Sequence, residues 1–262
     1  MTTNVLAIIG SPRKHGNTYH VVQEVEQRLK VLGDVQVEYL YLADAHLEFC
    51  RGCFQCLSQG EERCPIHDDR AAIEARMQAA DGLIFVAPAY CMMVPALMKN
   101  LIDRLAYVFH RPRFFKQVGL MVCTSAGAGI AETLKYLAIT QSWGLRRVVK
   151  LGVITPLYRS KDKAIAERTA KVDKAARAFY AALADPTYPS PSLSELIHFR
   201  AIRGNTHFAP SLFPADLEYY REHGWLESDF YVETRISPVK KWLADRLVKL
   251  IGGTFESRFY GA

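Results

Sequence analysis

Two short stretches concentrate residue types that do chemistry. In "CRGCFQCLSQGEERCPIHDD", cysteines at 50, 53, 56 and 64 give the spacing C-x2-C-x2-C-x7-C, with Pro65 after the last. Thiolates two residues apart in a tight loop can converge on one small centre. Three in series, plus a fourth followed by proline, match the ferredoxin style of iron–sulfur ligation, so Cys50, Cys53, Cys56 and Cys64 are candidate metal ligands. Structural zinc sites more often use two separated CxxC pairs or mix cysteine with histidine. His67 is near enough in sequence to replace one ligand, so zinc stays open, as do uncoordinated or disulfide-forming thiols.

The second stretch, "GSPRKHGNT" from Gly10 to Thr18, follows directly on the apolar run "NVLAIIG". A helix starting near Asn17 or Thr18 leaves unpaired backbone N–H groups and a partial positive charge at its first turn, which together bind an anion. The loop adds hydroxyls from Ser11 and Thr18, the Asn17 amide, and charges from Arg13 and Lys14. Gly16 lets the backbone approach a ligand closely. It is neither a Walker loop nor a GxGxxG fingerprint. A solvated strand-to-helix turn is the plain alternative, and the surrounding elements decide between the two.

Strand-like runs are expected at Val5–Gly10, Val35–Leu42, Gly82–Ala87, Gln117–Cys123 and Arg147–Ile154. The first, third and fourth are nearly continuous apolar runs, as strands covered on both faces require. Helical patterns fall near Thr18–Val31, Asp69–Ala80, Pro95–Phe109, Ile130–Ser142 and Asp162–Leu183. Five alternations of strand and helix predict an α/β fold: a doubly wound five-stranded parallel sheet of the flavodoxin-like kind, order 2-1-3-4-5. Ligands then sit at the carboxyl ends of strands one and three, where the winding reverses, which favours a phosphate cradle over a plain turn.

Three loops together, "GSPRKHGNT", "APAYCMMVPALMKNLIDR" from Ala87 and "TSAGAG" from Thr124, resemble the flavodoxin-fold NAD(P)H-dependent FMN reductases over residues 4 to 184. The resemblance implies that Ser11, Arg13, Asn17 and Thr18, with Lys14 and Gly16 in the same loop, hold the FMN phosphate. It implies that Pro88, Ala89, Tyr90, Cys91 and Met92 lie along the flavin, and that Ser125, Ala126, Gly127 and Gly129 close the other side. Taken singly, Met92 and Met93 read as core filler, and Cys91 and Cys123 as packed small hydrophobes. The cysteine spacing is similar to that of the iron–sulfur flavoproteins, a branch of the same superfamily. That implies a [4Fe–4S] cluster on the four cysteines, exchanging electrons with FMN.

The flavin does the redox chemistry, so no catalytic acid, base or nucleophile is assigned. His15, His67 and His110 read as surface or capping residues. The expected activity is an FMN-dependent oxidoreductase fed by NAD(P)H or a ferredoxin-type donor. The alternatives are a cluster-free NAD(P)H quinone or flavin reductase, a non-enzymatic flavodoxin-like carrier, and a zinc-stabilised binding protein.

The 262 residues carry a net charge of +6, and residues 190 to 262 hold nine basic and nine acidic side chains, so the surplus lies ahead of them. That suits anionic cofactors, and no nucleic-acid motif accompanies it. No apolar run is long enough to span a membrane, and the first residues lack a signal-peptide pattern, so a cytoplasmic protein is expected. "ADPTYPSPSLS", Ala184 to Ser194, reads as a linker. It divides a flavodoxin-like domain, residues 1–184 with the cysteine loop 48–68 after strand two, from a helical, aromatic-rich extension, residues 185–262. A last helix from Pro238 to Gly252 would present Val239, Trp242, Leu243, Leu247, Leu250 and Ile251. Covering that extension favours packing on the core or on a second subunit, in a homodimer or homotetramer.

Overall fold

The computed structural model describes residues 2–155, 162–208 and 210–259. Chain contacts divide it into two units: residues 1–51, 66–105 and 113–186, and residues 52–65, 106–112 and 187–262.

The first unit is built on five parallel strands, β1 (Thr3–Ile9), β2 (Val35–Tyr41), β3 (Gly82–Pro88), β4 (Val118–Ser125) and β5 (Arg147–Ile154), in the order β2-β1-β3-β4-β5. Every residue of β4, and all of β3 but Pro88, is buried, which is possible only where both faces are covered. Edge strand β2 is instead buried only at Val35 and Leu40 and exposed at Gln36 and Glu38. The covering helices are α1 (Asn17–Leu32), α3 (Arg70–Ala79), α4 (Ala96–Arg104), α5 (Ile130–Leu137) and α6 (Asp162–Ala184). Val21, Val22, Val25 and Leu29 place one stripe of α1 on the sheet, and Val172, Ala176 and Phe179 do the same for α6. The register sets Ile9 beside Val86, Pro88 beside Thr124 and Ser125 beside Ile154, so the loops that follow leave from one edge.

The helical pattern expected over Pro95–Phe109 divides. α4 ends at Arg104, Leu105 leaves helical geometry (φ −106°, ψ 24°), and a 3₁₀ turn covers Ala106–Phe109. The stretch expected as Ile130–Ser142 likewise becomes α5 and a 3₁₀ segment, Ala138–Trp143.

The second unit holds α2 (Gln55–Ser58) and a 3₁₀ turn (Glu61–Arg63) of the cysteine loop, the 3₁₀ turn at Ala106–Phe109, and α7 (Leu193–Phe208), α8 (Pro214–Glu222) and α9 (Pro238–Phe259). Ser192 and Glu195 form a reciprocal capping box at the start of α7: the Ser192 N–H donates to Glu195 Oε2 at 2.8 Å, and the Glu195 N–H to Ser192 Oγ at 3.2 Å. Aromatic residues form this unit's core. Tyr231 meets Phe199 edge-on at 4.6 Å, Tyr220 stacks on Phe199 at 6.1 Å, and Trp225 meets Tyr231 at 4.9 Å. All four are buried within the chain, so they do not call for a second subunit to cover them. α9 differs from expectation: among its described side chains Ala244 is the buried one, Val239, Trp242 and Leu250 are exposed, and the helix runs past Gly252. The Ile251 side chain lies outside the described residues.

Candidate functional site

At the carboxyl edge of the sheet, a cleft is lined by the loops after β1, β3 and β4 and by the residue after β5. From the first loop it takes Ser11, Arg13, Gly16, Asn17 and Thr18; from the second, Pro88, Ala89 and Tyr90; from the third, Ser125 and Ala126. Thr124 and Thr155 line it as well.

The first loop is shaped by its own hydroxyl. Ser11 Oγ accepts the Arg13 N–H at 3.1 Å, which turns the chain towards α1. Gly16 is the N-cap, no side chain caps the first turn, and that turn contains no acidic residue. The first-turn N–H groups and the positive end of the helix dipole are therefore available to an anion. Thr18 is buried, with its hydroxyl 3.0 Å from the Thr124 hydroxyl at the end of β4. The Arg13 side chain is exposed and makes no ion pair among the described residues, whereas Lys14 pairs with Asp44 at 2.5 Å. Of the two cations, Arg13 is the one the cleft holds ready.

The second loop is a tight hairpin. The Tyr90 N–H donates to the Met93 carbonyl at 2.8 Å and the Met93 N–H to the Tyr90 carbonyl at 3.0 Å, with Cys91 (φ 46°) and Met92 (φ 70°) at its tip. Positive φ at two consecutive non-glycine residues is the primed two-residue turn usually built from Asn and Gly, and such strain collects at ligand sites. Met92 and Met93 are 47% and 39% exposed, and Tyr90 39%. This corrects the reading of the methionines as core filler: the turn geometry turns them outward. Cys91 is exposed too, so it is not a packed hydrophobe.

In the third loop, the Ser125 hydroxyl donates to the Ala128 carbonyl at 2.5 Å and accepts the Gly127 N–H at 3.1 Å. Gly129 has φ +86°, and a Cβ there would lie 2.8 Å from Met92 Cα. Only glycine lets the third loop close on the second at that distance. Lys14, Cys91, Met92, Gly127 and Gly129 do not line the cleft itself; the last two shape the loop that does. Thr124 and Thr155 escaped the sequence reading, although the rule that ligands sit at carboxyl strand ends points to both. Cys123 is fully buried, and burial pushes its thiol up to about 11.

The cysteine loop is anchored within the first unit on both flanks. The Cys50 N–H donates to Asn100 Oδ1 at 3.2 Å, while Asn100 Nδ2 donates to the carbonyls of Leu47 and Glu48. Beyond the loop, the buried Asp68 carboxylate accepts from Arg104 at 2.7 Å and from the N–H groups of Glu48 and Arg70. Burial alone would raise this carboxyl, but the Arg104 guanidinium and the backbone donors outweigh it and hold it below the usual carboxylate range. Cys50 and Cys53 are exposed, and Cys56 and Cys64 half-buried. Four thiols in this spacing suit a cluster chemically. The geometry does not match that donor set: among the described residues, no group of three or more His, Cys, Asp or Glu side chains is gathered to hold a metal ion. His15 packs edge-on against Tyr19 at 5.0 Å, His67 is exposed, and His110 hydrogen-bonds to Asp216.

An all-parallel 2-1-3-4-5 sheet carrying this cleft at its carboxyl edge is a flavodoxin-like fold. Residues 3–157 match the NADPH-dependent FMN reductase family, and the chain belongs to it. An iron-sulfur flavoprotein of Archaeoglobus fulgidus is 28% identical over 227 residues, covering 84% of this chain and 99% of that protein. One of Methanocaldococcus jannaschii is 41% identical over 100 residues, 38% of this chain and half of that protein. The NAD(P)H:quinone oxidoreductase from Methanothermobacter marburgensis superposes with a TM-score of 0.56 at 18% identity, over 68% of this chain and 98% of its own, a likeness of fold. No described helix is long and apolar enough to cross a membrane.

Proposed function

We propose that this chain binds FMN in the cleft, accepts electrons from NAD(P)H or a reduced ferredoxin-type carrier, and hands them to an acceptor that meets the exposed Tyr90–Met93 hairpin. The carrying observation is the convergence on one cleft of an α1 N-terminus without a side-chain cap, an Arg13 that makes no ion pair among the described residues, and a strained hairpin bearing Tyr90. Bound FMN supplies hydride acceptance and one-electron release. The protein's part is to bind and to tune. The first-turn amides of α1, the Arg13 guanidinium and the Thr18 hydroxyl hold the phosphate dianion. The hairpin, fixed by its two cross-turn hydrogen bonds, presents a rigid edge and the Tyr90 ring to the flavin. Thr124 holds Thr18 in place, and Gly129 keeps the third loop closed on the second.

The four cysteines are proposed as [4Fe–4S] ligands on the strength of their spacing and of the relatives named as iron-sulfur flavoproteins. The thiols are not gathered, and the chemistry assigned to the cleft routes no electron through them. Anaerobic purification followed by flavin identification, iron and sulfide analysis, and reduction with NADH and NADPH tests both parts. Bound FMN bleached by a nicotinamide supports the oxidoreductase. A protein that binds no flavin ends that reading, and FMN without iron or sulfide ends the cluster reading alone.

A further inference from the structure

Arg111 is a charged side chain only 2% exposed, in the second unit. Its guanidinium gathers groups from segments far apart in the chain. Nη1 donates to the Leu57 carbonyl at 3.3 Å and pairs with Asp216; Nη2 donates to the Cys56 carbonyl at 2.5 Å and to Glu61 Oε2 at 2.9 Å. The Tyr107 ring lies 5.7 Å from the guanidinium carbon. Asp216, 1% exposed, sits in the first turn of α8, where the helix dipole favours a carboxylate. Its other oxygen is 2.6 Å from His110 Nδ1.

Arg111 thus grips both sides of the cysteine loop. On one side it holds the carbonyls of Cys56 and Leu57 in α2. On the other it holds the Glu61 carboxylate, and the Cys64 N–H donates to the Glu61 carbonyl at 3.2 Å. A guanidinium presents its donors in a fixed planar fork, so an anchor on one nitrogen sets the direction of the others.

We infer that Asp216 is a positioning residue for the cysteine loop: it orients Arg111, which fixes the backbone carrying Cys56 and Cys64. The C-terminal segment, beyond the matched residues 3–157, thereby shapes the cysteine loop. This positioning holds whatever the thiols bind.

The test is alkylation of each cysteine, read by peptide mass spectrometry, in the full FMN-loaded chain after anaerobic chelation of any iron. In Asp216→Asn, labelling of Cys56 and Cys64 should rise about tenfold or more, because a buried charge-assisted anchor limits local opening. Cys123 should stay unlabelled, and Asp216→Glu should restore rates close to wild type. Unchanged Cys56 and Cys64 rates in the Asn variant overturn the inference, and so does a parallel rise at Cys123, which would report general loosening. If the Asn variant does not fold, Arg111→Met with Asp216→Leu replaces the pair by apolar groups. Faster labelling at Cys56 and Cys64 in that double variant supports the inference, and wild-type rates overturn it. Iron content of the untreated wild type separately tests the cluster reading.

Discussion

Thr18 and Thr124 offer a sharp perturbation, because their buried hydroxyls lie 3.0 Å apart between the phosphate loop and β4. Thr18→Val keeps the shape but leaves the Thr124 hydroxyl without that partner, a cost of about 1–3 kcal/mol. Thr124→Val should cost the apoprotein a similar amount. The double variant removes both hydroxyls together, which is close to neutral where shape is kept. Urea unfolding of the apoprotein should therefore show two destabilised single variants and a double variant near wild type. FMN binding should not recover in parallel. A hydroxyl donating to a phosphate is a charge-assisted contact of about 1.5–3 kcal/mol, so the double variant should bind FMN roughly 10- to 100-fold more weakly, measured by flavin fluorescence. A double variant with wild-type affinity would refute the place given to Thr18 at the phosphate.

Arg13→Ala should weaken FMN binding about tenfold and flatten its salt dependence, while Lys14→Ala, already paired with Asp44, should change it by less than about threefold; titrations at two ionic strengths check both. Alkylation at pH 8 should modify exposed Cys91 and leave Cys123, whose thiol burial pushes up to about 11, unmodified until denaturant is added. The lowered Asp68 carboxyl contributes stability that is present above the unfolded value of about 4 and lost as pH falls through its folded value. Asp68→Asn should accordingly cost about 3 kcal/mol at neutral pH, with the gap to wild type narrowing in acid, as read from urea midpoints.

The sheet was readable from the sequence because β1, β3 and β4 are covered on both faces and show as continuous apolar runs. Helix lengths were less so. Leu105 and Val108 continue the apolar spacing of α4 through a 3₁₀ turn, and periodicity does not register a change in hydrogen bonding. The first loop announced itself by residue type, but Thr124 and Thr155 are single hydroxyls at strand ends and join the cleft only through sheet register. Met92 looked like core because hydrophobicity carries no sign of φ. Arg111 and Asp216 stand 105 positions apart, beyond any local pattern. The capping box at Ser192 and Glu195 starts inside the stretch read as a linker, where the run of prolines hid the start of α7.

The central claim is that the α1 N-terminus and Arg13 hold a flavin phosphate, and comparing FMN with riboflavin on the deflavinated full chain tests it most directly. The two ligands share the ring and ribityl chain and differ only in the phosphate. Several charge-assisted contacts to that group predict FMN binding at least about 100-fold tighter than riboflavin, with the preference reduced in Arg13→Ala. Equal affinities for the two flavins would contradict the account.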